Sequence, residues 1–197
     1  MKKKDLEIRL QKMRNFIDPD PSLEQYMTPS AISSDILFIA YSEGDIKGMD
    51  VIDLGCGTGM FAIGSWMLGA SSVRGYDVSE KAVAVAEQNR KDFGADVTFE
   101  VCDIMNVSGR GDTAIMNPPF GCQKRNADRP FLDKAMNLCD TVYSMHMGTT
   151  SDFLDDHVRS AGREICFKKN YRFNIPHTFS FHSKTERDID IVMIMIR

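Results

Sequence analysis

The alternation of apolar and polar positions predicts short buried strands that alternate with amphipathic helices. Apolar runs of four or five residues, bounded by polar residues or Gly, are typical of a buried parallel sheet. The strands predicted from these runs are Asp50–Leu54, Val73–Asp77, Val97–Val101, Thr113–Met116 and Thr141–Met145. Helical spacing predicts helices at Met60–Leu68, Ser79–Phe93, Pro130–Leu138 and Ser151–Ser160. This order favours a doubly wound α/β fold.

The first part of the chain has helical spacing with a break in the middle. One amphipathic helix is predicted to end before the Asp-Pro-Asp-Pro turn at 18–21, and a second to run from Pro29 to Gly44. We therefore expect residues 1–45 to form an N-terminal helical cap on a single domain that spans 1–197.

The last part of the chain predicts an antiparallel hairpin. Glu164–Phe173 and Asp188–Ile196 are apolar-alternating stretches with no helical pattern between them. Added to the five earlier strands, they predict a seven-stranded, Rossmann-like sheet that is mostly parallel and ends in this hairpin.

Composition and charge exclude several classes of protein. With 197 residues, 43% of them hydrophobic, the chain is long enough for one globular core. No run approaches the roughly 20 apolar residues of a membrane span, so we expect a soluble, cytoplasmic protein. The five cysteines form no C-x-x-C pair, which argues against a disulfide framework and a metal site. A net charge of −4 is unusual for a nucleic-acid binder, so any RNA contact must use local basic patches or a partner.

A glycine-rich loop follows the first predicted strand. Gly55, Gly57 and Gly59 in the segment Asp53–Gly59 permit a sharp turn and the close approach of a ligand to the backbone. The spacing is G-x-G-x-G, not the G-x-G-x-x-G of dinucleotide binders, and Asp53 opens the motif. A dehydrogenase is therefore not favoured.

Acidic residues end the next two predicted strands. Asp77, 20 positions after Gly57, is suited to accept hydrogen bonds from ribose hydroxyls, although an acidic residue there is also typical of a helix N-cap. Asp103 is suited to an adenine amino group at the same sheet edge. With the glycine loop, these residues resemble the class I methyltransferase fold, which implies S-adenosyl-L-methionine as cofactor. Another nucleotide-binding protein is the alternative.

The tetrapeptide Asn117-Pro118-Pro119-Phe120 directly follows the fourth predicted strand. It resembles the [DNS]-P-P-[YFW] motif of amino-group methyltransferases. An aromatic amine is a poor nucleophile because its lone pair is delocalised into the ring. The side-chain oxygen of Asn117 and the carbonyl of Pro118 are suited to accept its two N–H bonds, while the prolines stiffen the loop. A Pro-rich turn without chemistry is the alternative.

Two side chains near this motif have competing interpretations. Phe120 is expected to stack on a base that has left its helix, or else to fill the core. Cys122 is a conceivable nucleophile, but a lone Cys without an evident base is more often incidental.

Beyond these motifs, the chain resembles the methyltransferase-like five family of ribosomal-RNA adenine N6-methyltransferases and its archaeal relatives. The segments that carry the resemblance are Leu23–Pro29, the glycine loop with Ser65–Gly69, Asn117–Gly121, Val142–His146, and Arg172–Pro176 with Phe179–His182. The family pattern implies that Gln25 and Thr28, with Tyr26 nearby, lie over the methionine part of the cofactor. It also implies that eukaryotic members pair along a sheet edge with a small zinc-containing activator protein. In this chain, Ile191–Ile196 is either such an edge or part of the core.

Candidate RNA contacts are basic residues in two groups. Lys124, Arg125 and Arg129 adjoin the target loop, and the second group is Arg159, Arg163, Lys168, Lys169 and Arg172, interleaved with aromatic residues. A solvated strand face is the alternative for the second group. His146 ends the fifth predicted strand as either a structural residue or an RNA contact.

We therefore expect an enzyme that uses S-adenosylmethionine to methylate N6 of adenine in RNA, with ribosomal RNA as the favoured substrate. The alternatives are a protein glutamine N5-methyltransferase and a DNA adenine methyltransferase. The latter usually adds a target-recognition region, for which this chain has little spare length. A scaffold that only binds the cofactor is expected to lack Asn117 or a loop glycine, and both are present.

Overall fold

A computed structural model describes residues 1–121, 126–176 and 186–197 and joins seven strands in one sheet. The strands are β1 (Asp50–Leu54), β2 (Ser72–Asp77), β3 (Thr98–Val101), β4 (Gly111–Met116), β5 (Cys139–Met147), β6 (Ile165–Pro176) and β7 (Glu186–Ile196). The helices are α1 (Lys3–Leu10), α2 (Ser30–Ser42), α3 (Met60–Met67), α4 (Glu80–Phe93), α5 (Arg129–Leu138) and α6 (Ser151–Ser160). None of the helices in these ranges is long and apolar enough to cross a membrane.

The sheet has the order β3-β2-β1-β4-β5-β7-β6. The first five strands in this order are parallel, whereas β7 runs antiparallel to both β5 and β6. This is the doubly wound, mostly parallel sheet with a C-terminal antiparallel hairpin that the sequence predicts. Parallel β1, β2 and β4 end at the same edge, so the loops that follow them meet there.

Local sequence explains where the helices begin and end, as α4 illustrates. Ser79 caps its first turn by accepting a hydrogen bond from the backbone N–H of Ala82 at 3.3 Å, and Gly94 ends it in a left-handed conformation with φ +61°. The predicted bounds of most other helices and strands agree closely with those observed, but α1 ends at Leu10, well before the turn at 18–21. The largest difference among the parallel strands is β5, which extends beyond Thr141–Met145 at both ends: β4 pairs with it from Cys139, and β7 pairs with it as far as Met147.

The run Ile191–Ile196 belongs to the core. Its residues are buried, and β7 lies between β5 and β6 with both of its backbone edges paired. The edges of the sheet are β3 and β6. The alternative in which Ile191–Ile196 forms an exposed edge for a partner is therefore wrong.

The N-terminal helices pack on the sheet through α3. A Cβ on Gly64 in α3 would lie 2.4 Å from Leu37 of α2 and 3.7 Å from Leu10 of α1, so the three helices approach closely because this residue has no side chain. Leu10 and Leu37 belong to the same buried cluster as Val51 of β1. That one domain spans 1–197 stays a prediction.

Candidate functional site

A cavity of about 530 Å³ opens at the carboxyl edge of the parallel strands. Its walls come from the loops after β1, β2, β3 and β4, from the start of α5 and from residues 22–28 before α2. Its size falls within the 300–1,000 Å³ range that is usual for small-molecule and cofactor sites. The cavity thus lies where open α/β sheets bind ligands.

The glycine loop after β1 requires glycine for both its backbone angles and its contacts. Gly57 and Gly59 have φ of +53° and +85°, in the left-handed region that disfavours other residues. A Cβ on Gly57 would lie 2.8 Å from the Phe16 ring, and one on Gly59 would lie 2.6 Å from the Phe99 ring. Gly55 also has a positive φ and, like Gly57, lines the cavity, whereas Gly59 caps α3.

Asp53 supports the glycine loop from the buried side. Its Oδ2 accepts a hydrogen bond from the backbone N–H of Ala62 at 3.0 Å, while Oδ1 is buried and meets no donor among the described residues. Burial, and secondarily the charge of Asp77, raises the pKa of the Asp53 carboxyl to about 8. Because the side chain does not line the cavity, its contribution is to hold the loop from within.

Asp77 connects the glycine loop to the start of α4. Its Oδ2 accepts from the backbone N–H of Gly57 at 2.8 Å and its Oδ1 accepts from Ser79 at 2.9 Å, while burial raises its pKa. Ser79 provides the N-cap of α4, so Asp77 is not needed for that role. Asp103 is exposed, lines the same cavity and accepts from the backbone N–H of Met105 at 2.9 Å. The structure thus brings both predicted carboxylates to one cavity.

Asn117 lies at the other side of the cavity with an unsatisfied acceptor. Its Nδ2 donates to Oγ1 of Thr28 at 3.0 Å. Its Oδ1 is buried and finds no hydrogen-bond donor among the residues that the structure describes. A buried acceptor left unpaired costs about 1–3 kcal/mol, so this oxygen is suited to a donor brought by a ligand.

Phe120 points away from the cavity. Only 7% of its surface is exposed, and its ring packs against Tyr26 with centroids 5.6 Å apart. Pro119 lines the cavity and Pro118 is buried, but Phe120 does not line it. The ring therefore has the core-filling position that was the alternative to base stacking.

Glu24 anchors the target loop, a contact that the sequence did not reveal. Its Oε2 accepts from the backbone N–H of Phe120 at 2.7 Å, although the two residues lie 96 positions apart. Glu24 is only 8% exposed and has a left-handed φ of +52°, which a residue with a side chain rarely adopts. Such a residue persists only where its surroundings fix it, and it often lies at a functional site.

The predicted cofactor residues Gln25 and Thr28 also line the cavity. Oε1 of Gln25 accepts from the backbone N–H of Asp20 at 2.8 Å, which fixes the turn before α2. Thr28 is buried and holds Asn117, as described above. The segment therefore contacts both the cavity and the target loop.

His146 is a fully buried link between β5 and α5. Its Nδ1 lies 2.7 Å from Oδ2 of Asp128, and its Nε2 lies 2.8 Å from Oγ of Ser144. Burial raises the pKa of Asp128, but the hydrogen bond and the charge of His146, together with smaller contributions that include the charge of Arg129, lower the pKa overall. Of the two alternatives for His146, the structure favours the structural one. Cys122, Lys124, Arg125 and Phe179–His182 lie outside the described residues.

One comparison with known proteins matches only part of the chain, and two others match nearly all of it. Residues 36–117 match the ribosomal protein L11 methyltransferase family, PrmA. The rRNA N(6)-adenosine-methyltransferase METTL5 of Danio rerio is 32% identical over 98% of this chain and 98% of its own length. The Drosophila melanogaster protein of the same name is 33% identical over 97% of this chain and 94% of its own.

One solved structure is similar over the whole chain, and another shares only its fold. The crystal structure of PH1948 from Pyrococcus horikoshii is similar over 100% of this chain and 97% of its own, with 37% identity and a TM-score of 0.93. Magnesium protoporphyrin IX methyltransferase from Synechocystis, solved with bound SAM, shares the fold at 19% identity and a TM-score of 0.67. That alignment covers 84% of this chain and 78% of the other.

Proposed function

The chain belongs to the METTL5 family of rRNA N6-adenosine methyltransferases, and from that membership we propose that it methylates N6 of an adenine in RNA with S-adenosylmethionine as cofactor. Ribosomal RNA is the proposed substrate because the METTL5 relatives that match nearly the whole chain carry that activity in their names. The observation that carries the proposal is the buried, unpaired Oδ1 of Asn117 in the wall of a cofactor-sized cavity.

The cavity fits the cofactor through its shape and its acceptors. Gly55 and Gly57 present bare backbone to the cavity, and a Cβ on Gly57 would collide with the Phe16 ring, which lines the same cavity. We assign the cofactor contacts to Gln25, Thr28, Gly55, Gly57, Asp77 and Asp103, which line the cavity, and we assign to Asp53 and Gly59 the support of the glycine loop behind it. When bound, S-adenosylmethionine supplies an electrophilic methyl group on a positively charged sulfur. Asp77 is the proposed acceptor for the ribose hydroxyls and Asp103 for the adenine amino group.

The target side supplies acceptors for an amine. Asn117 Oδ1 is already desolvated, and Thr28 fixes the orientation of its amide, so little reorganisation is needed when an N–H arrives. We propose that this oxygen and the Pro118 carbonyl accept the two N–H bonds of the adenine amine. Both bonds favour the pyramidal form of the nitrogen, in which the lone pair is localised and reactive.

Pro119 and Phe120 complete the proposed target site by holding this loop. Pro119 limits the backbone freedom of the loop at the cavity wall. Phe120 anchors the loop through its backbone N–H to Glu24 and through its ring to Tyr26. The Phe120 ring is buried against Tyr26 and does not line the cavity, so stacking on a base is not part of this proposal.

The alternative substrates are supported by a smaller part of the chain. The match to the ribosomal protein L11 methyltransferase family ends at residue 117, where the target motif begins. A protein named as a putative N5-glutamine methyltransferase from Methanocaldococcus jannaschii matches only 39% of this chain. The match to the ribosomal protein L11 methyltransferase family therefore supports a shared cofactor half and not a shared target, and the second match covers too little of the chain to support a shared target.

We extend the proposal to a partner protein and to a location in the cell. A small zinc-containing activator stays a prediction, and the sheet edges that such a protein would meet are β3 and β6. A cytoplasmic location is likewise proposed, in keeping with a ribosomal substrate.

Methyl transfer from tritiated S-adenosylmethionine tests the proposal directly. The protein is incubated with separate fractions of ribosomal RNA, transfer RNA, DNA and ribosomal proteins. We expect label in ribosomal RNA, and chromatography of the digested RNA should place it in N6-methyladenosine. Label confined to the protein fraction would replace the proposal with glutamine methylation, and label in no fraction would overturn it.

A further inference from the structure

A guanidinium and two aromatic rings form a stack at the surface beside the cavity. The guanidinium carbon of Arg129 lies 3.8 Å from the centroid of the Phe153 ring. That ring stacks on the imidazole of His157, with centroids 5.5 Å apart and planes inclined by 26°. Nε2 of His157 lies 2.7 Å from Oδ1 of Asp133, which fixes the inner end of the stack. Phe153 is 38% exposed despite its size, so the stack is open to solvent.

This stack lies at the same edge of the sheet as the proposed target site. Arg129 begins α5 and directly precedes Pro130 and Phe131, which line the cavity. Phe153 lies in the first turn of α6, shortly after the carboxyl end of β5. Because β5 is the parallel neighbour of β4, the strand that leads to Asn117, the stack flanks the entrance to the cavity.

Arg129 has no ion-pair partner among the described side chains, whereas other charged residues of α5 and α6 are paired. The described carboxylates around it all have a partner: Asp128 with His146, Asp133 with His157, Asp155 with Lys168 and Asp156 with Arg159. Among the side chains that the structure describes, no carboxylate lies within ion-pair distance of Arg129, although its charge contributes to the lowered pKa of Asp128. Its guanidinium therefore remains available to an anion or to a planar ligand.

The basic residues of the second group, in contrast, already have partners within the protein. Lys169 pairs with Asp35 at 2.5 Å and Arg172 with Asp190 at 3.6 Å, in addition to the pairs of Lys168 and Arg159. Arg163 donates to the backbone carbonyls of Met136 and Cys139. An RNA phosphate would have to displace these partners, whereas Arg129 has no ion-pair partner to displace among the described side chains.

We infer that the Arg129–Phe153–His157 stack binds an unpaired nucleotide next to the target adenine, an inference that rests on the proposed function. A base that enters the cavity must leave its stack, which exposes a face of its neighbour. Arg guanidinium planes stack on such bases and also donate to phosphate oxygens. Phe153 holds the plane of Arg129 in place, so its orientation is set before the RNA arrives.

Binding of a labelled single-stranded RNA of about 12 nucleotides, within the span of known single-strand sites, tests the inference. The dissociation constant is measured by fluorescence anisotropy at several salt concentrations. Arg129→Ala should raise it about tenfold, as expected from loss of one stacking contact, and should lower the salt slope by about one. Arg129→Lys should keep the slope but not the affinity, because an ammonium has no plane to stack.

Phe153→Leu should weaken binding less than Arg129→Ala, since the guanidinium remains but loses its support. Arg110→Ala is the matched control, because Arg110 is an exposed arginine that pairs with Asp140 and directly precedes β4, at the opposite end of the sheet. It should bind RNA like the unmodified protein. All variants should keep their melting temperature and their affinity for S-adenosylmethionine.

Equal RNA affinity for Arg129→Ala and the unmodified protein would overturn the inference, as would an equal loss in Arg110→Ala or no binding by the unmodified protein. The binding measurement does not depend on methyl transfer. A protein that binds RNA through Arg129 but transfers no methyl group would overturn the proposed function and leave this inference intact.

Discussion

The loop after β1 and the loop after β4 face one cavity but are held in different ways. The glycine loop is held by residues at the end of the next strand. The backbone N–H groups of Gly55 and Cys56 donate to the carbonyl of Tyr76 at 2.8 and 3.0 Å, and Asp77 accepts from the backbone N–H of Gly57. The target loop is held from afar, by Thr28 and Glu24, which lie 89 and 96 positions from their partners. The glycine loop is therefore held mainly by the adjacent strand and turn, whereas the target loop depends on the N-terminal segment.

The largest effect is expected from Asn117→Ala, which removes the acceptor from the target half alone. Turnover should fall about a hundredfold or more, the usual cost of losing one preorganised transition-state contact. Affinity for S-adenosylmethionine, measured by calorimetry, should change less than about twofold. Asn106→Ala, at an exposed position after β3, is the control and should leave both unchanged. Equal losses of turnover and cofactor affinity would mean that the two loops do not act separately.

Asp77→Ala breaks the cofactor half and should have the next largest effect. It removes the acceptor of Gly57 and Ser79 as well as the proposed ribose contact, so the dissociation constant for S-adenosylmethionine should rise more than about tenfold. Asp112→Ala is the matched control, because that carboxylate accepts from the backbone N–H of Asp50 at the opposite end of the sheet. A change in turnover at saturating cofactor without a change in affinity would contradict the assignment.

Glu24→Ala sharpens the comparison, with a smaller effect. The backbone N–H of Phe120 would lose its buried acceptor, at a cost of about 1–3 kcal/mol, and the target loop would be held less well. Turnover should fall about tenfold while the affinity for S-adenosylmethionine stays close to that of the unmodified protein. Glu24→Gln keeps an acceptor oxygen and should recover most of the activity. If both variants lose cofactor affinity instead, the segment serves the cofactor half and not the target loop.

The sequence predicted the parts that depend on local pattern. The bounds of β1, the N-cap at Ser79 and the C-terminal hairpin were all confirmed, because apolar runs, capping residues and glycines act over a few positions. The glycine loop is of the same kind, since its unusual backbone angles require residues that stand out in the sequence.

The rest of the site depends on contacts between distant residues. Nothing in the residues around Glu24 indicates that its carboxylate accepts a bond from Phe120, because the partner is brought near only by the fold. The direction of the Phe120 ring and the pairing of Lys169 with Asp35 are of the same kind. Composition could show that basic residues were present, but not which of them were already neutralised.

The position of β7 between β5 and β6 constrains the order in which the sheet assembles. β6 is made before β7 but pairs with no other strand, so the sheet cannot grow one strand at a time in the order of synthesis. The two strands form a local hairpin, and such short-range pairing is fast compared with the closure of long loops. We therefore expect the hairpin to form first and to dock against β5 as a unit, with β7 leading.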